Sequence, residues 1–172
     1  MKFSIFKNPL NTWKGNNLLI GLNEENLESE IKKLEFILNS KILLEKIANK
    51  NFKGKLGDNI TLELLENSLN SLTLIGIGKE KINSSEKLRN CLSECVRKNI
   101  DNEEKISILM PWKILGMDSV LPIAEIFRLS SYRDNRFNKK RNEKIKLKEV
   151  EFLDLHNDVN ISFREVEEIC EG

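Results

Sequence analysis

His156 is the one histidine of the chain, and it lies two residues from Asp154 on one side and two from Asp158 on the other. A histidine flanked by carboxylates can act as a general base. However, a segment rich in Asp and Asn after a strand is typical of a solvated loop, and no serine or cysteine nucleophile has a positional relation to this histidine. The spacing therefore predicts no catalytic residue.

Cys91 and Cys95 are four residues apart, which puts both on one face of a predicted helix. A structural zinc site needs four ligands, and no local pattern brings Cys170 or His156 to this pair. Cβ atoms at this helical spacing lie about 5–6 Å apart, whereas a disulfide needs about 3.8 Å. We predict that both cysteines are small core residues and that the chain has no metal-ligating or cofactor-binding residue.

The segment Gly76-Ile77-Gly78-Lys79 lies between a predicted strand and a predicted helix, where a glycine-rich turn can present backbone N–H groups to a phosphate. It has neither the GxGxxG pattern nor the GxxxxGK[ST] frame. A tight turn at the end of the strand is the better interpretation. For the same reason, we interpret Gly54 and Gly57 as parts of a turn between a helix and a strand.

With 172 residues, of which 40% are hydrophobic and 32% are charged, the chain has the composition of one globular domain. It carries 28 Lys and Arg against 27 Asp and Glu, so its net charge of +1 gives no overall attraction to nucleic acid or to an anionic membrane. No apolar run reaches the length of a membrane span, and the apolar stretch in residues 1–6 is too short for a signal peptide. The composition predicts a soluble, cytoplasmic protein without a membrane partner.

Residues 133–148 form a basic strip, with eight basic and two acidic residues and a local charge of +6. Such a strip can contact phosphates and attract DNA or RNA. Only Tyr132 and Phe137 could stack on bases, and no nucleic-acid-binding motif accompanies them. We therefore favour a solvated connection over a nucleic-acid interface.

Strand-length apolar runs alternate with segments of helical period. The runs are residues 2–6, 18–22, 60–64, 72–77, 106–110 and 150–155. The clearest helix carries an apolar face from Leu88 to Ile100, a second runs from about Ser119 to Tyr132 with Pro122 in its first turn, and residues 27–48 form one or two more. This alternation predicts an α/β sandwich with a partly parallel sheet.

Capping boxes mark two helix starts, Asn83 with Glu86 and Ser162 with Glu165. The second box precedes the apolar positions Phe163, Val166, Ile169 and Cys170, so a helix begins near residue 162. Gly172 would serve as a natural C-cap. The abrupt end equally suits a chain cut where a second domain was about to begin.

An ordered set of segments extends along nearly the whole chain. They are Phe52 to Gly57, Leu74 to Lys79, Leu88-Arg89 at a helix start, Leu109-Met110-Pro111, the block from Ala124 to Phe137, and Ile169 to Gly172. In this order and spacing they resemble the N-terminal domain of the cytosol (leucyl) aminopeptidase family. The block that begins at Ala124 carries most of the resemblance and is similar in style to cyanobacterial members.

The resemblance implies an α/β domain with a macro-domain-like mixed sheet sandwiched by helices. It implies that residues 1–160 form this domain, and that residues 161–172 start a linker helix toward a C-terminal catalytic domain. In the family, the catalytic domain binds two divalent cations, Mn or Zn, and removes N-terminal residues such as leucine from peptides. The family's Asn-Thr-Asp-Ala-Glu-Gly-Arg stretch and its metal-binding lysine are absent from these 172 residues, so no catalytic or metal-binding residue is carried over.

The resemblance thus predicts a non-catalytic domain that serves assembly and active-site shaping. Its implied partners are its own C-terminal catalytic domain, the other copies in a hexamer, and the peptide substrate of the parent enzyme. The alternative is a free-standing macro-like module that binds ADP-ribose or another nucleotide at Gly76 to Lys79, or nucleic acid along residues 133–148.

Overall fold

The structure of the chain, a computed structural model, describes residues 1–35, 39–64, 69–79, 85–132, 145–155 and 162–168. The strands are β1 (Lys2–Ile5), β2 (Asn17–Asn23), β3 (Asn59–Glu63), β4 (Ser71–Gly78), β5 (Lys105–Leu109) and β6 (Glu149–Phe152). The described helices are α1 (Leu27–Lys32), α2 (Ser40–Asn49), α3 (Ser85–Asn99), α4 (Trp112–Leu115), α5 (Val120–Ser130) and α6 (Arg164–Glu168), with short 3-10 turns at Leu10–Thr12 and Met117–Ser119. None of the helices in these ranges has the length and apolar character needed to cross a bilayer.

The strands form one sheet in the order β1-β6-β5-β2-β4-β3. Neighbouring strands are parallel except for β3, which pairs with β4 in the antiparallel direction. In the centre, Leu19 of β2 lies opposite Thr73 of β4 and Ile108 of β5. All seven residues of β2 are buried, as expected for a central strand covered by helices on both faces.

Successive residues of a strand point to opposite faces of the sheet, and β2 divides its side chains accordingly. Leu19 packs into a core with α3, α4, α5 and α6. Leu18 and Ile20 pack into a second core with α1 and α2. The sheet therefore lies between two helical layers.

The predicted strands are all present, and the partly parallel α/β sandwich is confirmed. Residues 27–48 give two helices, with Asn39 capping α2 through hydrogen bonds from the Lys41 and Ile42 N–H groups. The predicted end of β6 at residue 155 is wrong, because β6 ends at Phe152. Asp154 has a φ of +56°, in the left-handed region, and this turns the chain out of the strand.

Candidate functional site

The carboxyl ends of β2 and β4 are the place where an open α/β sheet would bind a ligand, because the chain leaves β2 toward one helical layer and β4 toward the other. Asn23, the last residue of β2, is fully buried there. Its Oδ1 accepts hydrogen bonds from the N–H groups of Glu25 (2.7 Å) and Asn26 (3.2 Å), and its own N–H donates to Glu30 Oε2 (2.8 Å). Asn23 Nδ2 has no hydrogen-bond partner among the described residues. Asn23 thus fixes the turn after β2.

The glycines at the end of β4 pack directly against the loop between α2 and β3. A Cβ atom on Gly76 would lie 2.0 Å from the Lys55 carbonyl oxygen and 2.6 Å from the Gly54 carbonyl carbon. The Gly76 N–H donates to the Asp58 carbonyl (2.8 Å), and the Gly78 N–H donates to the Gly54 carbonyl (3.0 Å). Both N–H groups are therefore already used inside the protein, and neither is available to a phosphate.

The same loop is held in place by its own hydrogen bonds and by glycine conformations. Asp58 Oδ2 accepts from the N–H groups of Lys53 and Lys55, at 3.2 Å each. Gly54 and Gly57 have φ angles of +72° and +97°, which favour glycine. The predicted turn between a helix and a strand is confirmed here.

Cys91 and Cys95 lie on the inner face of α3, and both are buried free thiols. A hydrogen bond with the Cys91 sulfur, together with burial, raises the pKa of Cys95. The prediction that they are small core residues is confirmed. The Cys95 thiol, which is buried and has a raised pKa, is therefore a poor nucleophile, because the thiolate is the reactive form.

The acidic and sulfur side chains that the structure describes are dispersed over the domain. Within the ranges that the structure describes, no three His, Cys, Asp or Glu side chains lie together so as to hold a metal ion. The Asp58 carboxylate, which lies beside the glycine-rich edge, is used by backbone N–H groups of its own loop. These residues do not fit the pair of divalent cations that the family resemblance implies for the catalytic domain.

A row of polar side chains lies across β5 and β6, and sequence reasoning missed it. Lys105 Nζ lies 3.3 Å from Glu149 Oε1 and 2.9 Å from Glu151 Oε1. Trp13 Nε1 donates to Ser107 Oγ (3.2 Å) and to Glu151 Oε2 (3.3 Å). The available signal was the alternation of acidic and apolar residues along β6, which predicts one polar and one buried face.

The charges in this row stabilise one another. The Ser4 hydroxyl donates to Glu149 Oε1 (2.7 Å), and this hydrogen bond lowers the pKa of Glu149; burial raises it and Lys105 lowers it further, for a net decrease. Burial lowers the pKa of Lys105, but Glu151 and Glu149 raise it by more. Glu149 and Lys105 are therefore both held in their charged forms, so the row ties the strands together and offers no acid or base from these two groups near neutral pH.

The short helix α6 packs on α5 and on the edge strand β1. Phe163, just before α6, stacks on Phe152 with ring centroids 5.3 Å apart and an interplanar angle of 17°. Arg128 Nη2 donates to the Glu167 carbonyl (2.7 Å), and the Phe3 N–H donates to Glu167 Oε1 (2.9 Å). These contacts place α6 in the same core as α5. The predicted helix near residue 162 is confirmed, and it begins at Arg164.

A sequence model of the N-terminal domain of the cytosol aminopeptidase family matches residues 19–141. The chain belongs to this family. Over its whole length it is 44% identical to a probable cytosol aminopeptidase of Prochlorococcus marinus subsp. pastoris, and 42% identical to one of Prochlorococcus marinus strain MIT 9312. The chain spans 35% of the length of each of these relatives.

Among solved structures, a mutant of tomato leucine aminopeptidase matches this cytosol aminopeptidase domain with a TM-score of 0.72 and 18% identity. The match covers 96% of this chain and 34% of the tomato chain. At that identity the likeness shows the fold. Together with the family match, it confirms the predicted family and the predicted mixed α/β fold with helices on both sides of the sheet.

Some residues that the sequence singled out in this aminopeptidase-family chain lie outside the described residues. They are Asn83, residues 133–144 of the basic strip, His156, and Ile169 to Gly172 with Cys170. From the part of the strip that is described, Lys148 Nζ lies 2.9 Å from Glu104 Oε1, with both side chains on the surface. That lysine is therefore used in a surface ion pair.

Proposed function

We propose that this chain is the non-catalytic N-terminal domain of a cytoplasmic di-metal aminopeptidase that removes N-terminal residues from peptides. The observation that carries the proposal is the match to the family's N-terminal domain, combined with relatives of which the chain spans 35%. The catalytic chemistry then belongs to the C-terminal region of the enzyme. Two divalent cations, Mn or Zn, would supply Lewis-acid chemistry in that region.

We place the domain at residues 1–160 and the start of the linker helix at residues 161–172. The contacts of α6 give this linker a mechanical role. Phe163 and Val166 are buried in the domain core, and Glu167 is held by both Phe3 and Arg128. A linker that is fixed to the domain in this way holds the domain in a defined orientation relative to the C-terminal region. This supports a role in hexamer assembly and in shaping the active site.

The non-catalytic part of the proposal is tested on the 172-residue chain itself. The chain is incubated with Leu-p-nitroanilide and either Mn²⁺ or Zn²⁺, after circular dichroism has shown that it is folded. Release of nitroaniline should stay at the buffer level, while a full-length Prochlorococcus relative serves as the positive control. Robust turnover by the chain would overturn the assignment.

The role in assembly and active-site shaping is tested on a fusion. The chain is joined through Gly172 to the C-terminal region of the Prochlorococcus marinus subsp. pastoris relative, and this fusion is compared with the C-terminal region alone. Light scattering should give the mass of a hexamer for the fusion, and kcat/KM should exceed that of the C-terminal region alone. The same number of subunits and equal kcat/KM for the two proteins would show that the domain has neither role.

A pair of variants in the same fusion tests the anchored linker. Phe163→Ala removes the ring that holds α6 to the core and should lower kcat/KM or disturb the assembly. Ile42→Ala changes an exposed apolar side chain on α2 and should leave both unchanged. An effect of equal size from both variants would contradict the proposed role of α6.

A further inference from the structure

The outer face of α5 carries apolar side chains in positions that face water. Leu121, Leu129 and Tyr132 are 39%, 47% and 58% exposed. At 3.6 residues per turn, Leu121 and Leu129 lie about 80° apart around α5. Tyr132 follows the end of α5 at Ser130, and its N–H donates to the Leu129 carbonyl (3.1 Å) in the turn that ends the helix. Among the described residues, the other exposed large hydrophobic side chain is Ile42 on α2, at 40%. Three of the four exposed large hydrophobic side chains among the described residues thus lie on α5 or in the turn that ends it.

The neighbouring helix α3, in the same layer, has charged residues on its water-facing side. Its outer residues include Arg89, Glu94 and Arg97, all exposed. Lys98 Nζ and Glu94 Oε1 form an exposed ion pair at 2.8 Å. The apolar character of the outer face of α5 is therefore a local feature and not a property of the whole layer.

This face mixes apolar and charged side chains. Single exposed leucines are common and carry no meaning by themselves. Here two leucines and a tyrosine flank the half-buried Glu125 and Arg128, and tyrosine and arginine are enriched where proteins meet. These side chains form a stripe in which Leu121 and Leu129 lie about 12 Å apart along the axis of α5, from a rise of 1.5 Å per residue.

The position of α6 indicates what covers this face. About two thirds of each Prochlorococcus relative lies outside the part that this chain matches, and the matched part is the N-terminal domain. The continuation of such a chain leaves from α6, which Arg128 holds against α5 through its hydrogen bond to Glu167. A tethered partner has an effective concentration in the millimolar range, so a short mixed stripe is enough to hold it.

We propose that the outer face of α5 docks onto the C-terminal region that the relatives carry beyond α6. This proposal rests on the proposed function, and it names the partner of the domain and the helix that binds it. Docking there fixes the domain relative to the catalytic region through α5, in addition to the covalent link through α6.

Accessibility of single cysteines tests the proposal. In a Cys170→Ser background, Leu129→Cys places a thiol on the outer face of α5, and Ile42→Cys places one at a similarly exposed apolar position on α2. Cys91 and Cys95 are buried and give a low background with a maleimide reagent. Each variant is labelled as the isolated chain and as the fusion described above, once circular dichroism has shown native folding.

In the fusion, labelling at Leu129→Cys should be at least about tenfold slower than in the isolated chain, because a docked interface excludes the reagent. Labelling at Ile42→Cys should change by less than about twofold. Three results would each overturn the docking proposal: equal rates at Leu129→Cys in both proteins, slowing at both positions, or slowing in the isolated chain that increases with its concentration, since the last means that a second copy covers the face.

The mass and kcat/KM of the fusion separate failure of this proposal from failure of the proposed function. In one outcome, the fusion forms a hexamer with a higher kcat/KM than the C-terminal region alone, while Leu129→Cys is labelled as fast as in the isolated chain. That result would support the proposed function and contradict only the docking of α5. If the fusion has the same number of subunits and the same kcat/KM as the C-terminal region alone, both proposals fail.

Discussion

Gly76→Ala should be among the most destabilising small substitutions in this domain, because the space for a Cβ is already filled by backbone. The added carbon would lie 2.0 Å from the Lys55 carbonyl oxygen, 2.6 Å from the Gly54 carbonyl carbon and 2.8 Å from the Gly54 carbonyl oxygen. A flexible side chain could rotate away, but these atoms can move only if the loop between α2 and β3 moves. The substitution therefore pushes that loop off the end of β4.

The expected loss of stability comes from overpacking at Gly76 and from the hydrogen bonds that weaken when the loop moves. Overpacking a well-packed site costs about 1–3 kcal/mol. Moving the loop also weakens the hydrogen bonds from Gly76 N–H to the Asp58 carbonyl and from Gly78 N–H to the Gly54 carbonyl, each worth about 0.5–1.5 kcal/mol. We expect a loss of roughly 3 kcal/mol in the free energy of unfolding, which for a chain of this size lowers Tm by about 6–12 °C.

The measurement is urea unfolding of the 172-residue chain, followed by circular dichroism. Gly57→Ala is the matched control, since Gly57 has a φ of +97° and no atom within 4 Å of its Cβ position. That variant pays for backbone strain alone, roughly 1–2 kcal/mol. The opposing results are that Gly76→Ala lowers the free energy of unfolding by less than about 1 kcal/mol, or by no more than Gly57→Ala does. Either result would show that the loop moves freely and does not cover the carboxyl end of β4.

Further outcomes are expected for the polar row, the thiols and the sheet edge. The pKa of Glu149 is lowered in the folded state, first by the Ser4 hydroxyl, so this carboxylate stabilises the fold above the ordinary Glu pKa of about 4.3 and loses that effect as pH falls below it. Ser4→Ala should therefore reduce stability at pH 7 and hardly at pH 3, and a pH-independent difference in urea unfolding would contradict this. In a Cys170→Ser chain, Cys91 and Cys95 should react with DTNB only after unfolding in guanidinium, because both are buried; rapid reaction of the native chain would show that α3 is not packed as described. Titration calorimetry with ADP-ribose should show no binding, because the glycine N–H groups at the end of β4 are already donated; a micromolar affinity would favour the macro-like binding module instead.

The strands and helices were predictable because burial imposes a period on the sequence. The apolar runs around Leu18 to Leu22 and Leu72 to Ile77 are strand-length and each follows a polar residue, and both became central strands. In α5, Pro122 falls in the first turn, where the missing N–H costs nothing. These signals are local, so one sequence is enough to find them.

Contacts between distant segments were not predictable. Trp13 reaches Ser107 and Glu151, which are 94 and 138 residues away, and no local pattern links them. The end of β6 depends on Asp154 entering the left-handed region, which few non-glycine residues do. The loop that covers Gly76 was identified as a turn, but its packing against β4 depends on tertiary structure.

The covered carboxyl ends of β2 and β4 and the exposed leucines of α5 together indicate which surface of this domain binds a partner. An open α/β sheet usually binds small ligands at the carboxyl ends of its strands, and here the ends of β2 and β4 are occupied by the turn after Asn23 and by the loop packed on Gly76. Water-facing apolar side chains are instead found on α5, at Leu121 and Leu129, beside α6. A domain that covers the carboxyl ends of these strands with its own backbone and exposes leucines beside α6 is suited to bind protein, as the proposed docking of α5 requires.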